Sequence, residues 1–127
     1  MMTREEAIAY GLSFPDSYFD VPFHDPNWQL VRVKGSKKAF LWTYERDGHI
    51  HLNVKAQPGW LEFWRQTYES VVPGYHQDKN HWNTIILDGT AREETKESQM
   101  RSANANLFSR HVSAHRQHIS TLYVLYS

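Results

Sequence analysis

The sequence predicts a single α+β domain in two layers, an antiparallel sheet with helices packed on one face. Three observations carry this reading. β-rich runs over 28–34, 39–45 and 49–55 are separated only by turn residues, so they form consecutive antiparallel strands. Thr3 and Pro58 each open a segment in which apolar residues recur at helical spacing. The chain has 127 residues and 40% hydrophobic content, enough for one domain with a real core.

Thr3-Arg4-Glu5-Glu6 reads as a capping box, with Thr3 as N-cap and Glu6 at N3. The helix that follows runs to about Leu12 and presents Ile8 and Leu12 on one face. Pro15 ends it, because the residue before a proline avoids the α region. Tyr18, Phe19, Val21 and Phe23 form a mixed apolar segment, and Asp25-Pro26-Asn27 is a turn. In the strand over 28–34, Trp28, Leu30 and Arg32 share one face, while Val31 and Val33 share the other. Gly35-Ser36-Lys37-Lys38 connects it tightly to the strand over 39–45. Asp47-Gly48 is a hairpin signal. The next strand alternates cleanly: Ile50, Leu52 and Val54 point to the core, and His49, His51, Asn53 and Lys55 point away from it.

Pro58 suits the first turn of a second helix, where its missing N–H is harmless. Trp60, Leu61, Phe63, Trp64 and Tyr68 give that helix an apolar face for packing on the sheet. Val71-Val72 leads into a polar loop, and Ile85-Ile86-Leu87 marks a buried strand over 81–88. Thr90 and Glu93 read as a second capping box, opening a helix to about Asn106. That helix is polar over 92–99 and has only Met100, Ala103 and Leu107 as a thin apolar stripe.

Composition excludes several classes. There are no cysteines, hence no disulfide and no thiolate metal site. No apolar run approaches the roughly 20 residues that span a bilayer. The N-terminal segment is acidic and does not read as a secretory signal, so the expected address is the cytoplasm, with no membrane partner and a monomeric state. Net charge is zero. Nucleic-acid contact, if present, is therefore confined to a local basic patch.

The densest stretch is Pro73-Gly74-Tyr75-His76-Gln77-Asp78-Lys79-Asn80-His81-Trp82-Asn83-Thr84. It joins a turn signal, imidazoles, a lysine and an indole to a rigid strand, and loops held by a scaffold carry function. The stretch resembles the signature loop of the MmcQ/YjbR family of small bacterial proteins. The resemblance covers about residues 3–90. It divides the chain into a family-like core over 1–90 and a divergent C-terminal helix and tail over 91–127, within the same domain. It implies a CyaY-like fold and, for function, a DNA-binding protein with a double-wing arrangement.

On that reading the nucleic-acid-binding residues are Arg32, Lys34, Lys37, Lys38 and Lys55 on the sheet and its turn, and Tyr75, His76, Lys79, His81, Trp82 and Asn83 in the loop. Lysines and arginine meet phosphates, the indole or phenol stacks on an unpaired base, and Asn83 meets base edges. The alternative is a protein- or small-ligand-binding module in which Tyr75, His76, His81 and Trp82 line a pocket. Histidines pair at 49 and 51, at 76 and 81, and recur at His111, His115 and His118. With no HExxH motif and no cysteine, the sequence assigns no metal and no cofactor. His76, Asp78 and His81 offer acid–base groups, but no nucleophile motif or phosphate-binding glycine loop accompanies them, so no enzymatic activity is expected.

Overall fold

The computed structural model describes residues 1–107. Along the chain run α1 (Arg4–Leu12), β1 (Ser17–Asp20), β2 (Gln29–Val33), β3 (Ala39–Arg46), β4 (His49–Lys55), α2 (Pro58–Thr67), β5 (Val71–Pro73) and β6 (Trp82–Ile86). A further helix, α3, occupies 93–107. The strands form one six-stranded sheet in the order β1-β2-β3-β4-β6-β5. Every neighbouring pair is antiparallel. This is the α+β architecture expected from the sequence. The expectations for 108–127, including His111, His115 and His118, lie outside the described residues.

The helices cover one face of the sheet. Val31, Leu41, Leu52, Val54 and Ile85 form its apolar floor, and Ala7, Met100, Ala103 and Leu107 pack onto it from the helices. The α1 capping box forms: the Glu6 N–H donates to Thr3 Oγ1 at 3.1 Å, and the Thr3 N–H donates to Glu6 Oε1 at 3.2 Å. These backbone and hydroxyl donors hold the Glu6 carboxyl below its ordinary value, the Met2 N–H contributing most. Helix α1 lies so close to the sheet that small residues face it. A Cβ on Gly11 would stand 3.1 Å from Val31 Cγ2. Ala7 and Gly11 are therefore the buried positions. The expected Ile8–Leu12 face is displaced, with Ile8 partly buried and Leu12 exposed.

Three further expectations are corrected. The mixed segment near Tyr18 contains an edge strand, β1, paired to β2 from Ser17 opposite Val33 to Asp20 opposite Leu30. The aromatic face of α2 is only half used: Leu61 is buried and Trp64 and Tyr68 pack against the core, while Trp60 and Phe63 are 54% and 48% exposed. The capping box at Thr90 does not form. The Thr90 N–H and hydroxyl both donate to Asp88 Oδ1, at 3.0 and 2.6 Å, so Thr90 closes a turn. The Arg92 carbonyl instead starts α3, accepting from the N–H groups of Thr95 and Lys96. The thin stripe is real: Met100, Ala103 and Leu107 are all buried. Lys96 is buried beside them, its Nζ donating to the Met1 carbonyl at 2.7 Å, and burial lowers its pKa.

No helix among the described residues is long and apolar enough to cross a membrane.

Candidate nucleic-acid interface

Register decides which candidate residues meet. Lys55, the last residue of β4, pairs with Trp82, the first of β6, and Pro73 at the end of β5 pairs with Asn83. The β2–β3 turn closes beside them, because Leu41 pairs with Val54 on β4. The turn at 34–38, Lys55 and the loop 74–81 therefore share one end of the sheet. At the opposite end Asp47 and Gly48, both at positive φ, join β3 to β4 with Arg46 opposite His49. That is the two-residue hairpin expected from Asp-Gly.

Lys34, Lys37 and Lys38 project from the β2–β3 turn and are exposed. The turn is braced from within. The Lys37 N–H donates to the Val33 carbonyl at 3.0 Å, and the Val33 N–H donates to the Lys38 carbonyl at 2.9 Å. Gly35 and Lys37 take φ of 87° and 59°. Arg32 belongs to this bracing: its Nε donates to Asp20 Oδ2 at 2.7 Å and its Nη1 to the Lys37 carbonyl at 2.7 Å.

The loop 74–81 turns back over the face of the sheet opposite the helices. This face was expected to be polar and open. It is polar, but Asn53 and Thr84 are fully buried and His51 nearly so. Asn53 is the hub. Its Oδ1 accepts the Thr84 hydroxyl at 2.6 Å and the Tyr44 hydroxyl at 3.0 Å, and its Nδ2 donates to the Tyr75 carbonyl at 2.8 Å. The Tyr75 N–H donates to Thr84 Oγ1 at 3.0 Å. The loop backbone thus takes its partners from side chains of β4 and β6. Burial raises the Tyr44 pKa, which keeps its hydroxyl a donor.

Gly74 is required where it stands. A Cβ there would lie 2.7 Å from Trp82 Cβ and 3.0 Å from the Trp82 carbonyl oxygen. The Gly74 N–H donates to that oxygen at 2.9 Å. From the helix side, Arg65 on α2 ties the loop down. Its Nε donates to Asn83 Oδ1 at 2.6 Å and its Nη2 to the Trp82 carbonyl at 3.1 Å, with a further bond to the Lys79 carbonyl. Asn83 in turn donates to the Leu61 carbonyl at 3.1 Å and is fully buried. Asn83 and the Tyr75 backbone therefore hold the loop in place. Arg65 escaped the sequence reading. The signal was an arginine one turn after Leu61, on the buried side of an aromatic helix, where a guanidinium needs fixed acceptors.

The outward groups are Lys79, His76 and His81, all exposed, and a half-buried Trp82. Lys79 Nζ reaches back to the Gly74 carbonyl at 3.3 Å. Asp78 organises the loop tip. Its Oδ1 accepts the Asn80 N–H at 2.9 Å and its Oδ2 lies 2.7 Å from His81 Nδ1. The Asn80 N–H and then His81 hold the Asp78 carboxyl below its ordinary value. His76 takes a left-handed φ of 57°, and its ring lies 4.0 Å from that of Tyr75 and 6.1 Å from that of Trp28. Arg46 stands 3.9 Å over the Tyr75 ring. Tyr75 and His76 therefore belong to an aromatic layer with Trp28 and Tyr44, whose rings are 4.6 Å apart, rather than to the lysine-bearing end. His49 and His51 lie on this same face, and no group of three metal-ligating residues converges among the described residues.

His51 lies beneath this layer, its ring 5.2 Å from that of Tyr44, and burial lowers its pKa. The unfolded chain therefore binds more protons than the folded one just below pH ~6.5, the unperturbed histidine value. Stability contributed by neutral His51 is complete above that pH and is lost as pH falls through it toward the folded value. We expect urea denaturation between about pH 7 and pH 5 to show falling stability, with a shallower fall in His51→Gln. Identical slopes for the two proteins would remove His51 as a cause.

A sequence model of the YjbR family matches residues 12–102. The chain is 29% identical over 89 residues to the uncharacterized protein YjbR of Escherichia coli K12, covering 70% of this chain and 73% of that protein. It is 31% identical over 104 residues to the uncharacterized protein YyaQ of Bacillus subtilis 168, covering 73% of this chain and 87% of that one. Among solved structures it resembles a DUF419-domain protein of Deinococcus radiodurans, DR2400, with TM-score 0.81 and 28% identity over 94% of this chain and 89% of that one.

Proposed function

The chain belongs to the YjbR family, and from that premise we propose that it binds DNA through the end of the sheet where the turn 34–38, Lys55 and the tip of loop 74–81 meet. One observation carries this: Lys34, Lys37 and Lys38 are exposed on a turn braced by Arg32, at the same sheet end as exposed Lys79 and His81. A braced hairpin bearing cations is what laying a wing along a phosphate backbone requires. Its backbone is already ordered, so binding orders only side chains. The chain's zero net charge confines the attraction to this patch. Of the residues first considered, Lys34, Lys37, Lys38, Lys55, Lys79, His81 and Trp82 form the contact set. Arg32 and Asn83 hold its frame.

The test is fluorescence anisotropy of labelled duplex and single-stranded DNA at low and moderate salt. Affinity should fall steeply with salt. Lys37→Ala/Lys38→Ala should weaken binding and lower the log–log salt slope by about 2, or about 0.9 per lost phosphate contact. No binding at low salt, or binding insensitive to salt, overturns the reading.

A second reading is favoured by the aromatic layer of Tyr75, His76 and Trp28, which Trp42 joins to Phe23, itself 48% exposed. There the same loop serves a protein or small ligand, and affinity is nearly independent of salt. His76→Ala, not the lysine pair, then weakens it.

A further inference from the structure

We propose that the groove between α2 and α3 binds a neutral planar heterocycle with the hydrogen-bonding edge of a nucleobase. The groove holds a cavity of about 350 Å³ lined by Gln57, Trp60, Trp64, Gln99, Ser102 and Asn106, among others. That is the size of a small-molecule site. The indoles of Trp60 and Trp64 lie 6.0 Å apart with 26° between their planes. Trp60 is 54% exposed, so its surface is open to a further ring. Base–indole stacking is tolerant of sequence and contributes appreciably per base.

Gln99 supplies the independent observation. It is 2% exposed, and neither its amide nitrogen nor its amide oxygen has a hydrogen-bond partner among the described residues. Orphaned buried amides are destabilising, and native proteins satisfy nearly all of them. A carboxamide presents an acceptor beside a donor. The matching ligand edge presents a donor beside an acceptor, as adenine does at N6 and N7. No lining side chain among the described residues is charged, so the recognised part of the ligand is neutral. Both amide atoms are closed off from solvent in this state. Binding therefore turns the Gln99 side chain outward about its single bonds, into the cavity. None of the lining residues belongs to 34–38 or 74–82, so this site stands apart from the sheet-end reading.

The heterocycle could come from a free nucleoside or from an unpaired base in a strand, and the test separates them. Isothermal titration of the full chain would use adenosine, oligodeoxyadenylate, and ribose 5-phosphate as a probe lacking a base. Adenosine should bind saturably and ribose 5-phosphate should not. Trp60→Ala and Gln99→Leu should each weaken adenosine binding about tenfold or more. Binding of oligodeoxyadenylate alone, weakened equally by both variants, would assign the site to unpaired bases and uphold the proposal. Gln99→Leu should also leave the melting temperature unchanged or raise it, since it removes an unpartnered buried amide. Three results overturn the proposal: no binding of adenosine or oligodeoxyadenylate at millimolar concentration, affinity unchanged in both variants, or a melting temperature that falls sharply in Gln99→Leu. Loss of DNA binding in Lys37→Ala/Lys38→Ala with adenosine binding intact would show the two sites to be separate.

Discussion

Asn53→Ala is expected to lower folding stability by about 3 kcal/mol and to release loop 74–81 from the sheet. Asn53 is the shared partner of Thr84, Tyr44 and the Tyr75 carbonyl, all on the buried face under the loop. Truncating it removes the acceptor of the Thr84 and Tyr44 hydroxyls and the donor to the Tyr75 carbonyl, in a place where Asn53 and Thr84 are fully buried, and removal of one partner costs more than the bond contributed. For a domain of this size the melting temperature should fall by roughly 10–15 °C. The Tyr75 amide should also lose protection from hydrogen exchange, because its acceptor Thr84 loses its own anchor. Thr84→Ala removes the other half of the same network. The double variant should therefore be less destabilised than the sum of the singles. Additive losses, or a Tyr75 amide that stays protected, would show that the loop is held elsewhere.

Gly74→Ala is expected to destabilise by about 2–3 kcal/mol, by a different mechanism. The new methyl meets Trp82 Cβ at 2.7 Å and Trp82 backbone atoms at 3.0 and 3.1 Å. Backbone cannot move aside as a flexible side-chain tip can, so the bond from the Gly74 N–H to the Trp82 carbonyl must lengthen or break. Urea denaturation should show a lower midpoint with the slope unchanged, because the surface exposed on unfolding is the same. Gly48→Ala is the useful contrast. Gly48 has open space around it and a φ of 78°, so only backbone strain opposes the methyl there. A smaller loss at Gly48 than at Gly74 separates collision from strain.

Local signals in the sequence carried the meander well. Asp47-Gly48 set the hairpin and Pro58 opened α2, because each acts on its own few residues. The α1 box formed for the same reason. What escaped was set by distant partners. β5 is three residues long and pairs only with β6, so no local pattern announces it. Asn53 and His51 look like solvent-facing positions by alternation. Asn53 is buried because a loop more than twenty positions later folds over it, and His51 because its ring packs against that of Tyr44. Thr90 and Glu93 have the spacing of a capping box, but Asp88 takes the Thr90 hydroxyl first. The candidate interface divided in the same way. The lysines of the turn were legible as exposed cations, whereas the roles of Arg65, Asn83 and Gly74 depend on packing between α2 and β6.

The strand order has a consequence for how the chain assembles. β6 is the last strand in sequence among the described residues, yet it lies between β4 and β5. Strands β1 to β4 can zip from neighbour to neighbour, each closing only a short loop. β5 has no ladder to join until β6 arrives, and β6 must span α2 and the loop to reach β4. We expect the stretch from 71 to 86 to dock as one hairpin onto β1–β4, because the connection from β4 to β6 is the longest that the sheet closes. The Asn53–Thr84 bond then latches the two strands together.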